Sequence, residues 1–424
     1  MSKYQINKLL TVNWNYNDNP EDKQISILEF IDKNPIKYRD KFCEFNYKIS
    51  NFSIFEKNFN NICKDSKGYN YWQMSNIFEK SFYKSKHINN LIKLFALEDL
   101  ASKELPSHLQ INNLHPSAYK AIKELCYENN IILVNKILSK KNILKDYITT
   151  TFFYSLYYLI KQFLLFNSFK LHDSSKMNNN KKKKILIFSY LVNLDKDCLD
   201  KNIFYSYNWG DLPKILMKSN YVISWFHHFT KTIIFKDKKE SMRKLHSLNK
   251  KKAINGMHKL LYEYFNYFTF LKIIFKFIYV RVYFLFFTVL MRYFYFNKTN
   301  KKLKFWYIIK HNWYESFLGV ELIKNILWIE LFENLFKHNN GYEKCIYLFE
   351  NQSWEKALIN GYKRHNNNNI LGYLHHTARF WDTRLYFHKD EVKDLNSSYL
   401  IMPNKIAVSG SKAKSSLIKS GYNE

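Results

Sequence analysis

Ten consecutive residues, HHTARFWDTR from His375 to Arg384, concentrate groups able to bind and to move protons. Arg379 and Arg384 can clamp a phosphate or carboxylate through paired N–H groups, His375 can hold or pass a proton near neutral pH, and Trp381 can stack on a sugar or base. Thr377 adds a hydroxyl, while Asp382 either joins the site or pairs with one of the arginines to pin a loop. A second concentration lies just upstream: Glu350, Asn351, Trp354 and Glu355. Glu350 can serve as a general base and Asn351 can cap a helix or meet a ligand hydroxyl; the alternative is that both only satisfy first-turn amides.

Strands and helices must position these groups. CIYLFEN reads as a strand, SWEKALINGYKRH as a helix and NILGYLHH as the next strand, so both concentrations fall at carboxyl ends of strands, where open α/β sheets bind ligands. KIAVSGSKAKSSLIKSGY repeats strand, glycine turn and helix, and its Ser409-Gly410-Ser411 turn is a weak phosphate cradle. Earlier, KILIFSYLVNL is a buried strand, and YNWGDLPKILMKSNYVISWFHHF gives turn, helix and strand. His227 and His228 end that strand among aromatics, as packing residues or as site residues; Ser189, Tyr190, Trp209 and Gly210 are pocket lining. The opening MSKYQINKLLTVNW supplies a first strand, two helices are expected between Trp72 and Leu100, and LQINNLHPSAYKAIKELCYENNIILVNK is a βαβ unit with Pro116 at its helix start.

The 424 residues carry 66 Lys plus Arg against 36 Asp plus Glu, a formal net charge of +30. Such a balance attracts nucleic acid, anionic lipid or phosphorylated substrates. No zinc-finger spacing, RNP-like strand or basic heptad array accompanies it, so nucleic acid is not the expected partner. The five cysteines, Cys43, Cys63, Cys126, Cys198 and Cys345, form no C-x-x-C pair, which suggests neither disulfides nor a zinc site and fits a reducing cytosol. The N-terminus does not read as a signal peptide, and the protein is expected to stay inside the cell. P-loop, zincin and nucleophile-elbow motifs are missing.

Five regions follow from the patterning: an α/β region over 1–169, a basic low-complexity linker over 170–184, an α/β continuation over 185–259, an aromatic and basic helical insertion over 260–315, and an α/β segment over 316–424. Tyr147 to Phe169 is the best candidate for a membrane span, with many hydroxyls against it. Within 260–296 the longest uncharged run, Val282 to Met291, is too short to span, so that helix either packs in a core or lies on a membrane surface. A parallel α/β domain normally continues from a final helix into another strand, so residue 424 reads as a cut.

YLFENQSWEKALI, ILGYLHHTARFWDTRLYF and NKIAVSGSKAKSSLIKSGY together resemble a bacterial family of surface carbohydrate (O-antigen type) biosynthesis proteins. WQMSNIFEKSFYKS with LIKLFALEDL, FSYLVNLD, YNWGDL and WFHHF follow that family's blocks in order, from about residue 70 onward. The resemblance implies Rossmann-like parallel sheets of a two-lobed B-type glycosyltransferase, with the donor lobe missing or truncated here. It implies transfer of a nucleotide-activated sugar to a glycan or lipid-linked acceptor at the inner membrane face, with no metal and no cofactor. His375 or Glu350 is then the base, and Asn351, Trp354, Glu355, Thr377, Arg379, Asp382 and Arg384 meet substrate. His376 stands where the family is expected to carry a small residue. Two rivals are an alditol-phosphate transferase and a non-catalytic, membrane-docked partner of a glycan synthase.

Overall fold

The computed structural model describes residues 8–17, 24–85, 87–135, 144–167, 183–297, 301–366, 369–392 and 399–422. The expected basic linker over 170–184 lies almost wholly outside them. The chain is an α/β protein whose two main sheets are entirely parallel, as the Rossmann-like expectation requires.

Strands β1 (Leu9–Asn13), β2 (Ile25–Ser26), β5 (His108–Asn112) and β6 (Ile132–Leu133) form the first sheet, in the order β2-β1-β5-β6. A short hairpin, β3 (Ser53–Ile54) with β4 (Lys57–Asn58), stands apart from it. The helix Pro116–Glu128 joins β5 to β6 and starts on Pro116, where the lost N–H had no helical partner.

The second sheet holds β7 (Lys183–Tyr190), β8 (Tyr221–His228), β9 (Met257–Leu260), β10 (Lys344–Leu348), β11 (Ile370–Leu374) and β12 (Lys405–Val408). Its order is β12-β11-β10-β7-β8-β9. Three strands wind outward one way from β7 and three the other way from β10, the doubly wound pattern, with its switch point between β7 and β10. β7 is buried on both faces from Ile185 to Ser189, the apolar run expected of a central parallel strand.

The crossover from β9 to β10 carries three helices, Tyr267–Phe294, Leu303–Leu318 and Val320–His338. Leu303–Leu318 runs across the expected boundary at 315. Val320–His338 is buried nearly all round and packs against Ser353–His365, so the crossover is built into the sheet's own core. Among the described residues, Tyr267–Phe294 is the helix long and apolar enough to cross a bilayer, rather than the helix Leu144–Asn167 that holds the expected span. The sequence reading set it aside because lysines and arginines interrupt it, and three of those cations turn out to face protein partners. Lys272 and Lys276 reach Glu330 at 2.6 and 3.2 Å, and Arg281 donates to the Leu318 carbonyl at 2.6 Å.

Candidate functional site at the sheet switch point

The turn from β10 into the helix Ser353–His365 sits at the switch point, and a buried carboxylate shapes it. Glu355 accepts the backbone amides of Glu350, Asn351 and Gln352 at 3.0, 3.0 and 2.9 Å. Those donors have no partner inside the helix, and an acceptor at the third helical position is the usual solution. Burial pushes the Glu355 carboxyl upward, against the pull of these amides and of Lys356. Fully enclosed, Glu355 cannot meet a substrate as expected; it holds the turn.

Asn351 is corrected in the same way. It takes the left-handed conformation at φ 57°, receives the Lys356 ammonium on Oδ1 at 2.6 Å and donates Nδ2 to the Arg384 carbonyl at 2.6 Å. Trp354 also turns inward, bonding Tyr190 Oη through Nε1 at 2.9 Å within a cluster of Phe188, Tyr190, His228 and Tyr347 rings. One further carboxylate arrives from far away in sequence. Glu79 accepts the Ser353 amide at 3.2 Å, and Lys84 lies 2.8 Å from Glu79. The amides of residues 350–353 are therefore all occupied by Glu355 and Glu79, which closes this helix head to a phosphate.

The groups that do meet at the strand ends are Glu350, His375, Asp382 and Arg384. Glu350 lies 3.7 Å from His375 Nε2 and 3.4 Å from Arg384, and also accepts from the Gln352 side-chain amide. Asp382 takes Arg384 in a fork, with both N–O distances at 2.8 Å. Burial lowers the Arg384 guanidinium, but the Asp382 bonds and the charges of Asp382 and Glu350 outweigh it and hold the group above its ordinary range. Burial holds the His375 imidazole below its ordinary range, and the Glu350 carboxylate opposes that shift. His375 Nδ1 is enclosed with no hydrogen-bond partner, so one ring nitrogen faces Glu350 and the other is left open.

The loop bearing these residues is pinned from beneath. Thr383 Oγ1 donates to the Lys80 carbonyl at 2.6 Å, and the Asn351 amide holds the Arg384 carbonyl. Thr377 and Arg379 stay exposed on its outer side, with no side-chain partner recorded for either among the described residues. His376 bonds the Thr377 carbonyl at 3.1 Å.

His228 stacks on Tyr190 and sets its edge against Trp328, while His227 pairs with His258 at 2.9 Å, away from Glu350. Local sequence reasoning missed Glu79 and Lys84, and its expectation that no D-x-D sugar-metal motif is present is corrected by Asp195 and Asp197, which carry that spacing. Asp195 instead caps the helix Lys196–Asp200 through the Cys198 amide at 2.8 Å and accepts Tyr207 Oη at 2.7 Å. No cluster of three or more metal-ligating side chains occurs among the described residues.

Fold and site together define an α/β protein with a doubly wound sheet and an acid, histidine and arginine constellation at its switch point. Comparisons with protein-family models, with curated proteins and with solved structures give no match to the chain.

Proposed function

We propose that this protein is a glycosyltransferase of bacterial surface-polysaccharide assembly, O-antigen or capsule, moving a sugar from a nucleotide-activated donor to a hydroxyl of a glycan or lipid-linked acceptor. The observation that carries the reading is the contact of Glu350 with His375 and Arg384 at adjacent strand ends beside the switch point. A neutral histidine or a carboxylate there can take the acceptor's hydroxyl proton as its oxygen bonds the anomeric carbon. The bond from that carbon to the donor phosphate breaks, and the nucleotide leaves with the electron pair toward cationic side chains. Arg384, fixed by Asp382, and the exposed Arg379 and Thr377 are the groups assigned to that phosphate, since the helix head is already occupied. The family resemblance of ENQSWEKAL and HHTARFWDTR supplies the substrate class and the two-lobed B-type reading, with no metal in the reaction. Cytoplasmic placement at the inner membrane face belongs to the same proposal.

Melting of the purified chain with and without millimolar CMP, CDP, UDP or GDP tests donor binding, because a ligand of the native state raises the midpoint. A selective rise names the nucleotide class, and CDP-alditols beside sugar nucleotides separate sugar from alditol-phosphate transfer. Glu350→Gln and His375→Ala are expected to abolish glycan assembly at unchanged protein abundance. Normal glycan in cells carrying either variant overturns the assignment.

A further inference from the structure

The helix Tyr267–Phe294 has two apolar sides. One side, Thr269, Ile273, Phe277, Val280, Phe284, Thr288 and Met291, is buried against the protein. The opposite side carries Phe268, Phe275, Tyr279, Val282, Phe286, Val289 and Tyr293, all in solvent, with Phe268, Phe275 and Tyr279 at 81%, 70% and 73% exposure. Their steps of seven, four and three residues keep them in one stripe about 38 Å long at 1.5 Å per residue. A helix apolar all round is normally covered all round.

The neighbouring helix Leu144–Asn167 widens the surface. Phe152 stacks on Phe277 and Phe163 packs at a tilt against Phe270, which sets the two helices antiparallel, and Phe153, Tyr157, Ile160 and Leu164 form its own exposed stripe. The combined patch is larger than isolated surface hydrophobics explain.

We propose that this two-helix face docks in the plane of an anionic lipid bilayer, an inference that stands apart from the chemistry of the cleft. Charge selects the occupant. Residues 149–166 and 267–294 contain Lys161, Lys272, Lys276, Arg281 and Arg292 and not one Asp or Glu, in a chain of formal net charge +30. Rings that insert at the headgroup level, with Lys161 and Arg292 exposed toward phosphates, match such a surface. Geometry separates lying from spanning. A spanning helix would tear Lys272 and Lys276 from Glu330 and Arg281 from the Leu318 carbonyl and bury those charges in hydrocarbon, whereas a helix lying in the plane keeps every contact.

Flotation of the full chain with phosphatidylcholine vesicles, with or without about one-third phosphatidylglycerol, tests the inference. Binding is expected to rise with the anionic lipid, to fall in high salt, and to be released by an alkaline wash. The double variant Tyr279→Glu with Phe286→Glu, both side chains being in solvent, is expected to keep the wild-type melting point and to lose about tenfold in bound fraction. Equal flotation of this folded variant, or no flotation of the wild type, overturns the proposal. Resistance to the alkaline wash also overturns it, in favour of a span. A dimer that the double variant dissociates, without vesicle binding, assigns the face to a second copy instead.

Discussion

Glu79 and Ser353 stand 274 positions apart in the chain, yet the Glu79 carboxylate accepts the Ser353 amide at 3.2 Å. That bond fastens the segment after the first hairpin to the head of the helix behind the switch point. With Lys84 on the same carboxylate, it delivers a cation toward His228 and the strand ends.

Removing the carboxylates that fill the helix head is expected to cost stability before it costs chemistry. Glu355→Ala leaves three amides without their acceptor and the buried Lys356 without the carboxylate that most favours its charge, a loss of about 3 kcal/mol. Glu79→Ala removes one amide bond and a buried carboxylate whose partner Lys84 is partly exposed, and should lose about 2 kcal/mol. Urea unfolding of both variants measures the difference.

Acid lability should come partly from buried histidines. Burial pushes His228 and His258 down to about 3, so between that value and the ordinary one near 6.5 the unfolded chain binds protons that the folded chain refuses. Their stability contribution is complete above about pH 6.5 and is lost as pH falls toward 3, at up to about 1.4 kcal/mol per pH unit for each. His228→Gln is expected to flatten the dependence of the urea midpoint on pH over that window; an unchanged slope contradicts the burial account.

Glu350 and His375 should report on each other. The Glu350 carboxylate favours the imidazolium, against burial, so Glu350→Gln removes the raising influence and lowers the His375 midpoint further. NMR titration of the His375 ring in the two proteins checks the sign. A rise in the variant contradicts the contact drawn at 3.7 Å.

Gly372 on β11 is the strand position where space decides. A Cβ there would come within 3.0 Å of Phe349 Cβ, one residue before Glu350, and both groups sit in a packed sheet. Gly372→Ala is expected to cost about 1–2 kcal/mol and to lower glycan assembly more than that loss of stability explains, because it shifts the carboxylate. Equal losses in melting point and assembly would show that β11 only supports the fold.

Local sequence made much of this legible. SWEKALINGYKRH is the helix Ser353–His365 residue for residue, because apolar positions at helical spacing, an acid in the first turn and Lys363, Arg364 and His365 in the last turn agree. The βαβ unit around Pro116 was equally plain. Direction was not legible: a glutamate after a strand reads alike whether it turns outward, as Glu350 does, or inward onto amides, as Glu355 does. Glu79 and Lys84 had no local signal, since their partner Ser353 lies across the fold. The lysines of Tyr267–Phe294 broke the apolar run without showing their partner, because Glu330, which receives Lys272 and Lys276, sits on another helix.

The strand order also bears on how the chain comes off the ribosome. β7 pairs with β8 soon after both are made, but its other edge waits for β10, which follows only after the whole helical crossover has been synthesised. Until then β7 shows an unpaired, apolar edge, the kind that joins strands of other chains. Folding of this half is therefore set by the arrival of Lys344–Leu348, and nascent chains stalled within the crossover should be the species that chaperones hold.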